Sequence, residues 1–205
     1  MAKIDEEFSL FKGKDRVENN ILFSLPHQYG KKITVMATPI RVVCANTLQL
    51  ALRGGTADMM VSLNHRKAFD AESVKETLGI ATTKLGEYKE MAQFLASKKF
   101  KKEQVKEYVA HLFPTTAVKT GKAEADESLT LSRPAMQVLD AIETQPGAEL
   151  GEGTWWAPFN AVTFSIDHTL GHSVDTRLTS SWYGANRKKK LEALELAVEY
   201  ANNAA

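Results

Sequence analysis

Residues 153–171 read GTWWAPFNAVTFSIDHTLG. Trp155, Trp156, Phe159, Val162, Phe164 and Ile166 give this segment a strong demand for burial. Among them stand Asn160, Thr163, Asp167 and His168. A buried polar group is costly unless it finds a hydrogen-bond partner, and a buried charge is costlier still. The fold must therefore cover this segment and also supply partners for its polar atoms. On a helix, Asn160, Thr163 and Asp167 share one face, with His168 on its shoulder. Arg177 follows beyond a turn, close enough to reach back. The favoured expectation is a structural polar network of Asn160, Thr163, Asp167, His168 and Arg177 that fixes how this helix packs on the last one.

A chemical centre is the competing account. Asp167 and His168 have hydroxyls nearby in Thr163, Ser180 and Ser181, which suggests nucleophilic catalysis. Adjacent residues on a helix do not point at each other, however, and no G-x-S-x-G elbow is present. His168 and His172 have the spacing of helical metal ligands. Gly171 between them predicts a helix end, and the Glu of the protease motif is missing. No catalytic residue, metal or cofactor is expected, and an enzyme of unknown chemistry at Asp167 and His168 is the weakest alternative. Trp155 and Trp156 are adjacent, so one of them is expected to be half-exposed or at a subunit contact.

The rest of the chain predicts an α+β, helix-dominated fold. A small N-terminal antiparallel β-hairpin or sheet packs with about five helices. ILFSL (21–25) and ITVMATPIRVVC (33–44) form the hairpin around Pro26 and Gly30, with the second strand interrupted near Pro39. Asn46 and Thr47 sit where the N-cap of a short helix over LQLAL belongs, and a further strand falls near 59–66. Val74, Leu78, Ala81, Leu85, Tyr88, Met91, Ala92 and Leu95 recur at helical spacing from an Asp70 cap to about Ser97. Helices follow over about 102–112 and from a Ser132 cap with Pro134 in its first turn, then over the Trp-rich segment and near 187–202. Residues 1–114 thus hold the hairpin and helices, 115–131 form a flexible linker, and 132–205 are helices packing back into a single domain. A two-stranded hairpin is marginal alone in water, so it needs helical cover or strands from a partner chain or homo-oligomer.

Charge limits the partners. The net charge is only +1, so phosphate binding would need a local basic surface. KKFKK (98–102) and RKKK (187–190) are the densest basic clusters, and solvated helix ends are their commonest explanation. Arg41, on a strand with Lys31 and Lys32 in the adjoining turn, either meets phosphate or pairs with an acidic side chain of the covering helix. The candidate nucleic-acid contacts are Lys31, Lys32, Arg41, Arg187, Lys188, Lys189 and Lys190. Cys44 is the sole cysteine, which rules out an internal disulfide and reads as a small buried hydrophobe. No apolar run approaches the ~20 residues that span a bilayer, and the acidic N-terminus does not resemble a secretory signal. No membrane association is expected.

Three blocks carry a resemblance. They are TPIRVVCANTLQLAL (38–52), GTWWAPFNAVTFSIDH (153–168) and RLTSSWYGANRKKKLEALELA (177–197). Together they resemble an uncharacterised family of phage and plasmid proteins, a domain of unknown function. The resemblance runs from about residue 20 to 202 and suggests the C-terminal part of the family's domain, without its strand-rich N-terminal region. It implies a mobile-element origin and a cytoplasmic location in a bacterial host cell, and no settled activity. A non-enzymatic phage or plasmid protein that binds nucleic acid, by binding or annealing single-stranded DNA, is the first expectation. Strand-strand-strand-helix order is loosely reminiscent of single-strand annealing proteins, an analogy only. A protein-binding accessory factor acting on a host enzyme or defence system is the alternative, using the hairpin edge and the Trp pair.

Overall fold

Strand pairing begins at residue 2, in a stretch with no strand expected. The computed structural model describes residues 2–24, 33–48, 61–63, 71–115, 131–171 and 173–203. Strands β1 (Ala2–Leu10), β2 (Asp15–Ser24) and β3 (Ile33–Arg41) form an antiparallel meander. Two short strands, β4 (Asn46–Thr47) and β5 (Val61–Leu63), both pair with β3. The expected hairpin is present as β2–β3, but inside a five-stranded sheet.

Two details of the sheet differ from expectation. Pro39 does not interrupt β3, where it pairs in register with Asn19. Its carbonyl accepts from Leu48 N at 3.1 Å on the opposite edge. In an antiparallel strand the N and C=O of a residue point to the same side. Its missing N–H therefore falls on the β4 edge, one residue beyond the Ile40–Thr47 pair, and costs β2 no ladder bond. Asn46 and Thr47 are not a helix cap but strand β4 itself. The helix expected to follow them, the linker core (116–130), Lys31 and Lys32 lie outside the described residues.

Among the described residues six α-helices follow: α1 (Ala71–Ser97), α2 (Lys102–Leu112), α3 (Arg133–Thr144), α4 (Trp156–Phe164), α5 (Val174–Tyr183) and α6 (Ala185–Asn202). The apolar stripe of α1 buries Leu85, Tyr88, Ala92 and Leu95, and Tyr88 meets Phe8 of the sheet edge-on at 5.9 Å. Ser132 caps α3 by accepting from Ala135 N at 3.2 Å, and its hydroxyl donates to Phe113 O at 2.7 Å. That second bond ties the start of α3 to the end of α2. Helix α5 occupies a stretch in which no helix was expected; Ser173 caps it from Thr176 N at 3.2 Å.

Helix α4 is the centre of the packing. Every residue from Trp156 to Thr163 is buried. A helix buried on all sides belongs inside a fold, and this one contacts α1, α3, α6 and β4. Trp155 and Trp156 are therefore both fully buried, against expectation. Successive residues diverge by about 100° around a helix. Trp155 turns to the outer helices and packs on Tyr108 at 5.5 Å and Tyr200 at 5.6 Å. Trp156 turns toward β2, and its indole donates to Asp15. With cover on two sides, neither ring is left for solvent or for stacking on a base.

The buried tyrosines make stability alkali-sensitive. Burial pushes the phenols of Tyr88 and Tyr108 above their ordinary value. The unfolded chain then ionises first, near pH ~10. Folding is favoured below that pH and loses support as pH rises toward the folded values. Tyr88→Phe is expected to shift the alkaline unfolding midpoint, followed by far-UV circular dichroism, to higher pH; an unchanged midpoint would contradict this.

Candidate functional site

Two buried ion pairs lie at opposite ends of α4. The first begins in the sheet. Cross-strand register puts Asp15, Val17, Arg41 and Asn46 on one face, the face α4 covers. Arg41 Nε donates to Asp15 Oδ1 and Oδ2 at 2.9 Å each, and its Nη2 lies 2.8 Å from Oδ2. Trp156 Nε1 adds a bond of 2.8 Å to Oδ2. Arg41 Nη2 also donates to Gly147 O at 2.9 Å. Asp15 is 0% and Arg41 3% exposed, so these bonds replace water entirely.

Arg41 therefore has its acidic partner, though on β2 and not on the covering helix. Its guanidinium is spent inside the protein and is not available to phosphate. Gly147 has φ 73°, and a Cβ there would stand 2.6 Å from Val43 Cγ1 and 3.2 Å from Arg41 Nη2. Only glycine permits this approach. Cys44 is buried beside the pair, 3.7 Å from Arg41 Nη1, and burial raises its thiol pKa. It is a core residue and not an activated nucleophile.

The second pair forms where α4 runs into a π-helical turn over 165–169, closed by Leu170 N to Ser165 O at 2.7 Å. Such turns re-aim side chains. Asp167 points inward and accepts from Thr47 N at 2.9 Å, Thr47 Oγ1 at 3.1 Å, Ser181 Oγ at 2.9 Å and Lys190 Nζ at 2.8 Å. Lys190 is 0% exposed, and its ammonium also donates to Thr47 O at 2.8 Å and Thr47 Oγ1 at 3.3 Å. Burial lowers the Lys190 pKa, and Asp167 opposes that shift. Three acceptors match the three N–H donors of an ammonium.

Asn46 links the two centres. Its Nδ2 donates to Asn160 O at 3.2 Å and Thr163 Oγ1 at 3.0 Å, while Asn160 Nδ2 returns to Trp156 O at 2.8 Å. Asn160, Thr163 and Asp167 thus belong to a polar network. His168 and Arg177 do not share its bonds. His168 is exposed and lies against the Phe164 ring at 4.9 Å, turned out by the π-helical turn. Arg177 is half-buried, with its Nε lacking a hydrogen-bond partner. The members that sequence reasoning missed are Asp15, Asn46, Thr47, Ser181 and, as a buried partner, Lys190.

The RKKK cluster is divided by its helix. Lys190 faces inward. Lys189 Nζ donates to Leu112 O at 2.6 Å and sits over the Phe113 ring, closing the end of α2. Arg187 is half-buried, and burial lowers its pKa. Lys188 alone of the four is exposed. The four basic residues are thus divided between the interior, the end of α2 and the surface.

Comparison with known families places the chain. The family described as a domain of unknown function, DUF932, matches residues 1–193. The chain belongs to the DUF932 family. The match starts at residue 1 and not near residue 20, which corrects the expectation of a C-terminal part only. No curated protein and no solved structure matches. In this DUF932 chain, no group of three or more His, Cys, Asp or Glu among the described residues is arranged to hold a metal ion. No helix of the described residues is long and apolar enough to cross a membrane.

The network is best tested through its charges. Lys190→Met leaves the Asp167 carboxylate buried without its cation, and is expected to cost about 3–5 kcal/mol. Lys190→Met with Asp167→Leu should recover a good part of that loss. His168→Ala should change stability by less than about 0.5 kcal/mol. Urea unfolding midpoints at constant m-value check all three, and a near-neutral Lys190→Met would remove the ion pair from the structural account.

Proposed function

We propose that this DUF932 chain is a non-enzymatic nucleic-acid-binding protein, with single-stranded DNA as the favoured ligand. A phage or plasmid setting, and a cytoplasmic one, belong to the same proposal. The observation that carries it is a rigid, exposed lysine junction between α1 and α2. Lys99, Lys101, Lys102 and Lys106 are exposed there, and Lys98 is half-buried with its ammonium over Phe94. Among the described residues none of these lysines has an ion-pair partner.

The junction is held from behind. Trp155 N donates to Lys98 O at 2.9 Å and Phe100 N to Gly153 O at 3.3 Å. The backbone that presents the lysines is therefore preorganised, which lowers the entropy lost on binding. Lys102 and Lys106 stand one turn apart on α2, while Glu103 and Glu107 lie about 100° further round. The meander followed by long α1 supports the reading by analogy with single-strand annealing proteins. The buried ion pairs support the non-enzymatic part, since the ammonium of Lys190 has all its donors engaged inside the protein.

Lys99, Lys101 and Lys102 changed together to Gln should weaken binding to a labelled single-stranded oligonucleotide by roughly tenfold or more. The slope of log affinity against log salt should fall by about 2, from about 0.7 per lost phosphate contact. Lys188→Gln serves as the exposed-lysine control. Fluorescence anisotropy across a salt series reads both quantities. Equal affinity and slope in the triple variant, or no binding by the parent protein, would sink the proposal and favour the accessory-factor alternative.

A further inference from the structure

Beside the lysine junction, the end of α3 and the turn after it enclose a half-open groove of about 880 Å³. That is within the size of ligand sites, about 300–1,000 Å³. Phe100, Ile142 and Ala157 contribute its apolar lining. Glu143, Glu149 and Glu152 also line it, all exposed, against a single lysine, Lys102. Among the described residues none of the three carboxylates has an ion-pair partner.

Gln145 supplies an independent pointer to a ligand. It lines the groove and is 3% exposed. Its Nε2 donates to Ala157 O at 3.3 Å, which orients the amide, and its Oε1 has no hydrogen-bond partner. A buried amide oxygen without a donor is unfavourable, and a ligand N–H would relieve it. The groove therefore sets unpaired negative charge and an apolar wall beside a buried, unmet acceptor. An arginine side chain matches all three, with five N–H donors on a planar cation and an apolar stem. The volume leaves room for the residues that flank it. An anionic ligand such as nucleic acid meets three carboxylates there.

We propose that this groove is a docking site for an arginine-bearing peptide segment of a partner protein. The inference stands on Glu143, Glu149, Glu152 and Gln145 and shares only Lys102 with the proposed phosphate contacts, so a failure of either leaves the other in place. A fluorescein-labelled peptide of alternating leucine and arginine is the probe, with free agmatine as competitor. Wild-type protein should bind it saturably, and E149Q/E152Q should weaken it about tenfold with unchanged circular dichroism and melting temperature. The same double variant should bind single-stranded DNA no more weakly than wild type. Absence of saturable peptide binding, or equal binding by the double variant, would overturn the proposal. Displacement by agmatine at the peptide's own affinity would also overturn it, by assigning the groove to a small amine.

Discussion

The carboxylate of Asp15 has no contact with water, and the arrangement of sheet and helices follows from how it is satisfied. An ionised carboxylate in such a place needs a cation and further donors. Arg41 supplies the cation from the neighbouring strand, and Trp156 supplies a donor from the first residue of α4. The spare Nη2 bond of Arg41 then reaches the Gly147 carbonyl, which brings the turn after α3 against the sheet. Three segments distant in sequence converge on two side chains. A buried pair of this kind is not evidence of extra stability, since apolar residues of similar volume often do as well. Its consequence is selectivity: an α4 shifted by one turn would leave the Trp156 indole N–H unpaired and take one donor from the buried Asp15 carboxylate.

The second pair secures the other end of the same helix. Asp167 continues toward the strand that Asn160 and Thr163 face, and its carboxylate meets Thr47 of β4, Ser181 of α5 and Lys190 of α6. Strand β4 has only two residues, and its side chains serve both centres, Asn46 toward Asn160 and Thr163, Thr47 toward Asp167 and Lys190. So short a strand gains little from its ladder bonds alone. Its place is set by polar contacts to helices more than a hundred residues away in the chain.

Local periodicity made much of this architecture legible. The α1 stripe, the start and end of α2, and the Ser132 cap depend on neighbours three or four residues apart, and each was readable. The demand that the Trp-rich segment be buried and its polar atoms satisfied was readable too. The identities of the partners were not. Asp15 sits in a charged turn-like stretch, KGKDR, where an acid is ordinarily solvated. Asn46 and Thr47 carry cap chemistry, and nothing local distinguishes a cap from a strand whose partners come from α4 to α6. His168 stands on the shoulder of the Asp167 face, but consecutive residues diverge around the turn and the imidazole ends outside, against Phe164. Strand β1 was missed because EEFS gives only weak alternation, and its pairing is decided by β2.

The contrast between the two basic clusters shows why charge density in a sequence is not charge on a surface. Ala193, Leu194, Ala197 and Ala201 form the buried face of α6, and one turn back along that face lies Lys190. Helical register alone commits its ammonium to the interior, and Asp167 makes that tolerable. KKFKK has the opposite fate, because it is a connection and not a helix face. Its apolar member, Phe100, packs on Trp155 at 6.3 Å and holds the segment down, while the lysines on either side turn outward. The acidic groove shares Phe100 and Lys102 with that junction. The chain therefore neutralises its charges internally at both ends of α4 and leaves opposite charges unpaired side by side on the outside. The two surfaces proposed for recognition, around residues 98–102 and 143–152, are built on α4, which the inner charges hold in position.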